Sequence, residues 1–151
     1  MAKVPGGTLT WNGGDLIAEV TDENIKAMNK AAIAVQAKAK ELIGGSGSGR
    51  LYKRGQKSHR ASLPGRPPAR DTGILANSVT FEVQQVGNEI KGTVGPDIDK
   101  IQSESPRIDP DYGYFLEVGT KNIAKRPWLK PALRKSRKKI LSFFTIANKN
   151  I

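Results

Sequence analysis

Apolar residues recur along the chain in two different rhythms. Between Thr21 and Leu42, Ile25, Met28, Ala32, Val35, Ala39 and Leu42 step by three and four residues without a miss. That spacing predicts one apolar stripe on a helix about 30 Å long. The stripe is rich in alanine, so whatever packs on it can approach closely. A sustained 3-4 step also describes a coiled-coil seam, but three heptads favour packing on a sheet. Asp22 and Glu23 suit the positive end of the helix dipole, and Gly44-Gly45 closes the element. Upstream, Thr8-Leu9-Thr10-Trp11 alternates as a strand does, Asn12-Gly13-Gly14 signals a turn, and Asp15 is placed to cap the segment after it.

A period of two takes over further on. Val79, Phe81 and Val83 alternate with Thr80, Glu82 and Gln84, Gly87-Asn88 turns the chain, and Ile90, Gly92 and Val94 alternate on the way back. This predicts a β-hairpin ended by Gly95-Pro96. Before it, Asp71 or Thr72 can cap a single helical turn. After it, residues 97 to 111 are polar and acidic, a loop with Ile98, Ile101 and Ile108 as scattered anchors.

The densest stretch is Tyr112 to Leu133, YGYFLEVGTKNIAKRPWLKPAL. Tyr114, Phe115 and Val118 have the spacing of a short amphipathic helix, and Gly119 stands where a helix end favours φ > 0. Arg126-Pro127-Trp128-Leu129 leads into a second helix, with Pro127 and Pro131 in its opening turn, where a missing N–H costs nothing. Trp128 is the natural filler of this knuckle, and Glu117 reads as a helix-end ion-pair partner for Arg126. The second helix runs from Trp128 to about Phe144, with Leu129, Leu133, Ile140 and Phe143 or Phe144 on one face and Ser136 in a gap. Residues 145 to 151 trail off or dock on another chain. The whole reads as a single α+β domain over residues 1–151. A small antiparallel sheet packs against a long N-terminal helix and a C-terminal helix, and a long basic loop connects them.

Charge sharpens this picture. The formal net charge is +11, and it is unevenly spread. Residues 43–70 hold seven Lys or Arg and no acid, residues 71–117 hold nine acids against three bases, and residues 118–151 hold ten Lys or Arg and no acid. Such polarity suits either a nucleic-acid contact or head-to-tail association of copies. The segment 44–70, GGSGSGRLYKRGQKSHRASLPGRPPAR, has no apolar period. Its Gly, Ser and Pro argue against regular structure, and as a flexible chain it spans about 30 Å, enough to reach a neighbouring subunit. Arg50, Tyr52, Lys53, Arg54, Lys57 and Arg60 within it are candidate partner contacts. Lys130, Arg134, Lys135, Arg137, Lys138 and Lys139 on the last helix are candidate DNA-facing residues.

The side-chain inventory points away from catalysis. The chain has no cysteine and one histidine, His59, which has no second imidazole with which to share a metal. No Gly-Lys-Ser/Thr follows the glycines of 44–49, so they do not form a P-loop. Asp109, Asp111 and Glu117 lack the spacing and central glycine of a calcium loop. Pro110-Asp111 with Glu117 lacks the lysine that a metal-dependent nuclease needs two residues on, since position 119 is glycine. No catalytic, cofactor-binding or metal site is therefore expected. No apolar run reaches membrane-spanning length, no leader segment is evident, and the expectation is a cytoplasmically made protein without membrane attachment.

Several stretches resemble the tail-completion, or head–tail joining, proteins of long-tailed bacteriophages. There a Tyr-x-x-Phe-x-Glu-x-Gly-Thr segment precedes an aromatic-Leu-x-Pro-Ala-Leu helix. The matching residues are Tyr112 or Tyr114, Phe115, Glu117, Gly119, Thr120, Trp128, Leu129, Pro131, Ala132 and Leu133. Ser62-Leu63-Pro64-Gly65, Pro67-Pro68 and Asp71-Thr72-Gly73-x-Leu75-x-x-Ser78-Val79 are similar to a loop of one branch of that family, which often has an acid where Arg66 stands. Trp11-Asn12-Gly13 is similar to its opening. The resemblance implies a structural, non-enzymatic virion protein in the neck. It implies a homo-oligomeric ring, generally of six, between the head connector and the tail terminator or tube, with double-stranded DNA in the lumen. Pro64, Gly65, Pro67, Pro68, Tyr114, Glu117, Gly119, Thr120 and Trp128 would then join the basic loop at subunit contacts. The alternative is a basic nucleic-acid-binding module.

Overall fold

The computed structural model describes residues 2–4, 7–9 and 13–149. In chain order the elements are β1 (Ala2–Val4), β2 (Gly7–Leu9), α1 (Gly13–Ile43), β3 (Leu51–Arg54), β4 (Lys57–Arg60), α2 (Ile74–Ser78), β5 (Val79–Val86), β6 (Glu89–Pro96), α3 (Ile98–Glu104), α4 (Tyr112–Val118) and α5 (Leu129–Ala147). The fold is α+β. Among the described residues the strands form three antiparallel pairs, β1 with β2, β3 with β4 and β5 with β6. No helix among those residues is long and apolar enough to cross a membrane.

Helix α1 is the spine. Val35 and Ala39 of the expected stripe are buried, as is Ala32, and Ala27, Ala31 and Ile43 widen the buried surface to a second side. One side takes α5 and the other takes the β5–β6 hairpin. The two long helices run antiparallel: Ala27 and Lys30 lie by Phe143 and Ala147, while Glu41 at the other end lies by Lys135. Alanine at the contact lets their backbones come close. The helix starts at Gly13, well before Thr21, because nothing between Asp15 and Thr21 breaks it; Asp15 sits in the first turn and not ahead of it. Trp11 and Asn12, which carry the opening resemblance, lie outside the described residues.

The hairpin has the expected turn, with Gly87 at φ 61° and Val86 paired with Glu89. Pro96 pairs with Val79, and the second strand ends at Gly95-Pro96 as expected. Gln36 Nε2 of α1 donates to the Val79 carbonyl (2.8 Å), tying the first strand to the spine. Gly92 admits Met28, since a Cβ there would come within 2.8 Å of its sulfur.

Three expectations need correction. Residues 97–104 are not a loop: Asp97 caps α3 by accepting from Lys100 N (3.0 Å), and Ile101 is buried. Residues 51–60 of the basic segment form a hairpin, with Gly55 at φ 60° in a two-residue turn that closes polar strands. The glycines before it are close-approach positions: a Cβ on Gly47 would fall 1.6 Å from the Arg60 carbonyl. Residues 145–147 continue α5 and do not trail off.

Candidate functional site

The knuckle around Gly119 is built from α4 and the start of α5. The inward face of α4 is Gly113 and Leu116; Tyr114 (63% exposed) and Val118 (46% exposed) point outward, reversing the expected face. Gly113 fits closely there: a Cβ would meet Leu75 Cδ1 at 2.9 Å. Its carbonyl accepts from Trp128 Nε1 (3.0 Å), which settles the only polar atom of a side chain that is 1% exposed. Trp128 is thus core, packed with Val35, Ala39 and Ala132, and is not accessible to a partner. Leu133, expected on the buried face of α5, is 54% exposed; Ala132 and Ser136 take that place.

Glu117 does not pair with Arg126. One carboxylate oxygen accepts from Trp128 N (2.7 Å) and Leu129 N (2.8 Å), and the other from Lys130 N (2.9 Å). The next residue, Pro131, has no N–H, so one side chain satisfies every donor in the opening turn of α5. Its charge also complements the helix dipole. Gly119, at φ 79°, ends α4, and its N–H donates to Phe115 O. Thr120 Oγ1 then accepts from Ile123 N (3.0 Å), bending the chain into the corner.

The Pro-Gly loop docks on this knuckle. Gly65 N donates to Lys125 O (2.7 Å), Arg126 Nε donates to Ser62 O (3.2 Å), and Arg126 N donates to Leu116 O (2.7 Å). Pro68 is buried between them, Pro67 is half-buried, and Pro64 and Gly65 are exposed at the turn. Two stretches far apart in sequence therefore form one rigid unit.

The basic hairpin β3–β4 folds back toward the same unit through Asp71. Arg54 reaches Asp71 at 3.0 Å and His59 Nδ1 lies 3.8 Å from it. Arg50, Tyr52, Lys53, Arg54, Lys57 and Arg60 are all exposed on the hairpin, and the Arg50 guanidinium lies over the Tyr52 ring at 5.3 Å. Between hairpin, Pro68–Thr72 and α4 runs a groove of two adjoining cavities, about 240 and 320 Å³. Tyr112 stands where they meet; burial raises its phenol pKa, with Arg126 pulling it back and Asp71 adding to the rise. The sequence did not single out Asp71 for this anchoring role or Tyr112 for the groove. The one signal present was Asp71 itself, the first acid after an unbroken run of bases.

On α5, Lys130, Arg134, Lys135, Arg137, Lys138 and Lys139 are all exposed, and none is within ion-pair distance of a carboxylate among the described residues. Leu133, Leu141 and Ile146 are exposed among them. Asp109 and Asp111 remain apart from Glu117, whose oxygens are occupied, and the described residues contain no group of three or more His, Asp or Glu arranged to hold a metal.

Comparison of the chain with protein families, with curated proteins and with solved structures finds no match.

Proposed function

We propose that this chain is a structural subunit of a tailed bacteriophage: a tail-completion, or head–tail joining, protein that forms a ring in the neck. The observation that carries the reading is the unit made by Ser62–Pro68 and Tyr112–Leu133. The two stretches that most resemble that family lie against each other, joined by the Gly65–Lys125 and Arg126–Ser62 hydrogen bonds. Their small and proline-bound residues make a stiff frame, in which the buried Ser62 Oγ alone lacks a hydrogen-bond partner among the described residues, and the charged segments are displayed around it. A frame of this kind suits a part gripped by its neighbours and performs no bond chemistry.

Exposed ion pairs contribute only about 0–1 kcal/mol each, so apolar contact must supply most of the holding energy. Exposed Tyr114, Val118, Leu133 and Leu141 offer it. Purified protein, alone and mixed with candidate connector and tail-terminator proteins, is expected to give a closed ring by native mass measurement and electron microscopy, with the protein present in the neck of mature particles. A strictly monomeric protein absent from particles overturns the reading.

The unpaired cations of α5 favour a second reading, a nucleic-acid-binding surface, and the two coincide if α5 lines a DNA channel. Binding to duplex DNA that falls steeply with salt supports it, and absence of binding at low salt removes it.

A further inference from the structure

We propose that the groove beside α4 is a socket for the β5–β6 turn of a second copy of this chain. This rests on the reading of the chain as a self-assembling subunit and names the surfaces that meet.

The groove has two unlike ends. Ile43, Leu75, Ile101 and Ile108 line one, with Arg70 and Asp109 beside them; His59 and Arg126 stand at the other, and Arg54 and Asp71 line both. Asp71 is engaged by Arg54, and the bonds of Arg126 go to the backbone carbonyls of Ser62 and Ala124. Arg126 therefore has no carboxylate partner among the described residues. An occupant of matching chemistry carries an apolar side chain and a carboxylate side by side.

The β5–β6 turn carries that pair. Val86 and Glu89 are directly opposed across the turn, which places their Cβ atoms about 5 Å apart. Val86 is 64% exposed, and residues 84–89 are exposed without a break. Gly92 of β6 lies tight beside Met28 of α1 and Ile90 is still half-buried, so the tip formed by residues 84–89 stands clear of the body. None of these tip residues lines the groove of its own chain. Tip and socket are different surfaces, so the contact is head-to-tail and propagates until it closes.

The absence of native cysteine makes a direct test simple. The Val86→Cys/Ile108→Cys protein, oxidised after assembly, is expected to give a ladder of disulfide-linked multimers on a non-reducing gel, while an equimolar mix of the two single variants gives mainly linked pairs. Glu89→Arg is expected to weaken self-association at least tenfold with an unchanged circular dichroism spectrum. Rings that form normally with Glu89→Arg and yield no disulfide between positions 86 and 108 overturn the socket and leave the ring reading standing. A thiol introduced by Val86→Cys that cross-links to a different face of the neighbour also overturns it, as does one introduced by Ile108→Cys that links to another protein. A wild-type chain that does not self-associate overturns both.

Discussion

Glu117 shows how much one side chain can organise. It stands on one helix and satisfies the start of another, and charge-assisted bonds of this kind are worth about 1.5–3 kcal/mol apiece before the cost of leaving donors unmet. Glu117→Gln keeps one acceptor but turns an amide toward Lys130 N, and is expected to cost about 1–2 kcal/mol; Glu117→Ala is expected to cost about 3 kcal/mol, both read from urea unfolding midpoints. Gly113→Ala drives a methyl to within 2.9 Å of Leu75 Cδ1 and should destabilise by about 1–3 kcal/mol, with Trp128 fluorescence reporting the disturbance. Tyr112 gives a pH signature. Its folded-state pKa lies above the ordinary 10.0, so its contribution is intact below that value and is lost as pH rises through the folded value. Melting temperature should therefore fall less steeply above pH 10 in Tyr112→Phe than in the wild type. At this scale Trp128 and Gly119 were legible from residue type alone. The inward face of α4 was not, because Tyr, Phe and Val outweigh Gly and Leu in apolar character, while the neighbouring Leu75, Pro96 and Trp128 pack closely over Gly113.

At the scale of elements, the two hairpins contrast. Strands β5 and β6 alternate cleanly because one face packs on α1, so burial wrote their period into the sequence. Strands β3 and β4 pack on nothing comparable; their residues are exposed on both faces except His59, and no alternation was there to read. A lone two-stranded pair is marginal in water. What holds this one is local: the Gly55 turn, the Gly49 N to Ala61 O and Ala61 N to Arg50 O bonds, and Asp71. Gly47→Ala puts a methyl into the Arg60 carbonyl and is expected to loosen the hairpin without unfolding the core. Faster amide exchange and easier proteolysis confined to residues 47–61 would be the measured result. The long helices were legible as elements, since a 3.6-residue spacing sustained over several turns suits a helix and little else, but the buried side of α5 was not, because Leu133 is exposed where Ala132 and Ser136 pack. The N-terminal limit of α1 nonetheless lies well ahead of its stripe, at Gly13.

For the whole molecule, the decisive property is where charge stands after folding. The acidic middle is dispersed over the β5–β6 hairpin, α3 and the approach to α4, while α5 concentrates its cations on one exposed side. If that side faces DNA, reversing Arg134, Arg137 and Lys138 together to Glu should lower the slope of log affinity against log salt by roughly 0.9 for each phosphate no longer neutralised, as read from fluorescence anisotropy. The same triple variant should leave melting temperature within a few degrees, because exposed charges contribute little to stability.

The α+β class, the alanine-striped spine, the β5–β6 hairpin and the tryptophan-filled knuckle followed from the sequence alone, because each depends on local periodicity or on a residue with one comfortable place to go. The capping of α5 by Glu117, the anchoring of a basic hairpin on Asp71, and the docking of the Pro-Gly loop on the Gly-Thr corner were decided only in three dimensions. Each joins groups distant along the chain, and a hydrogen bond or ion pair between them leaves no period behind; only the packed core brings the partners within reach.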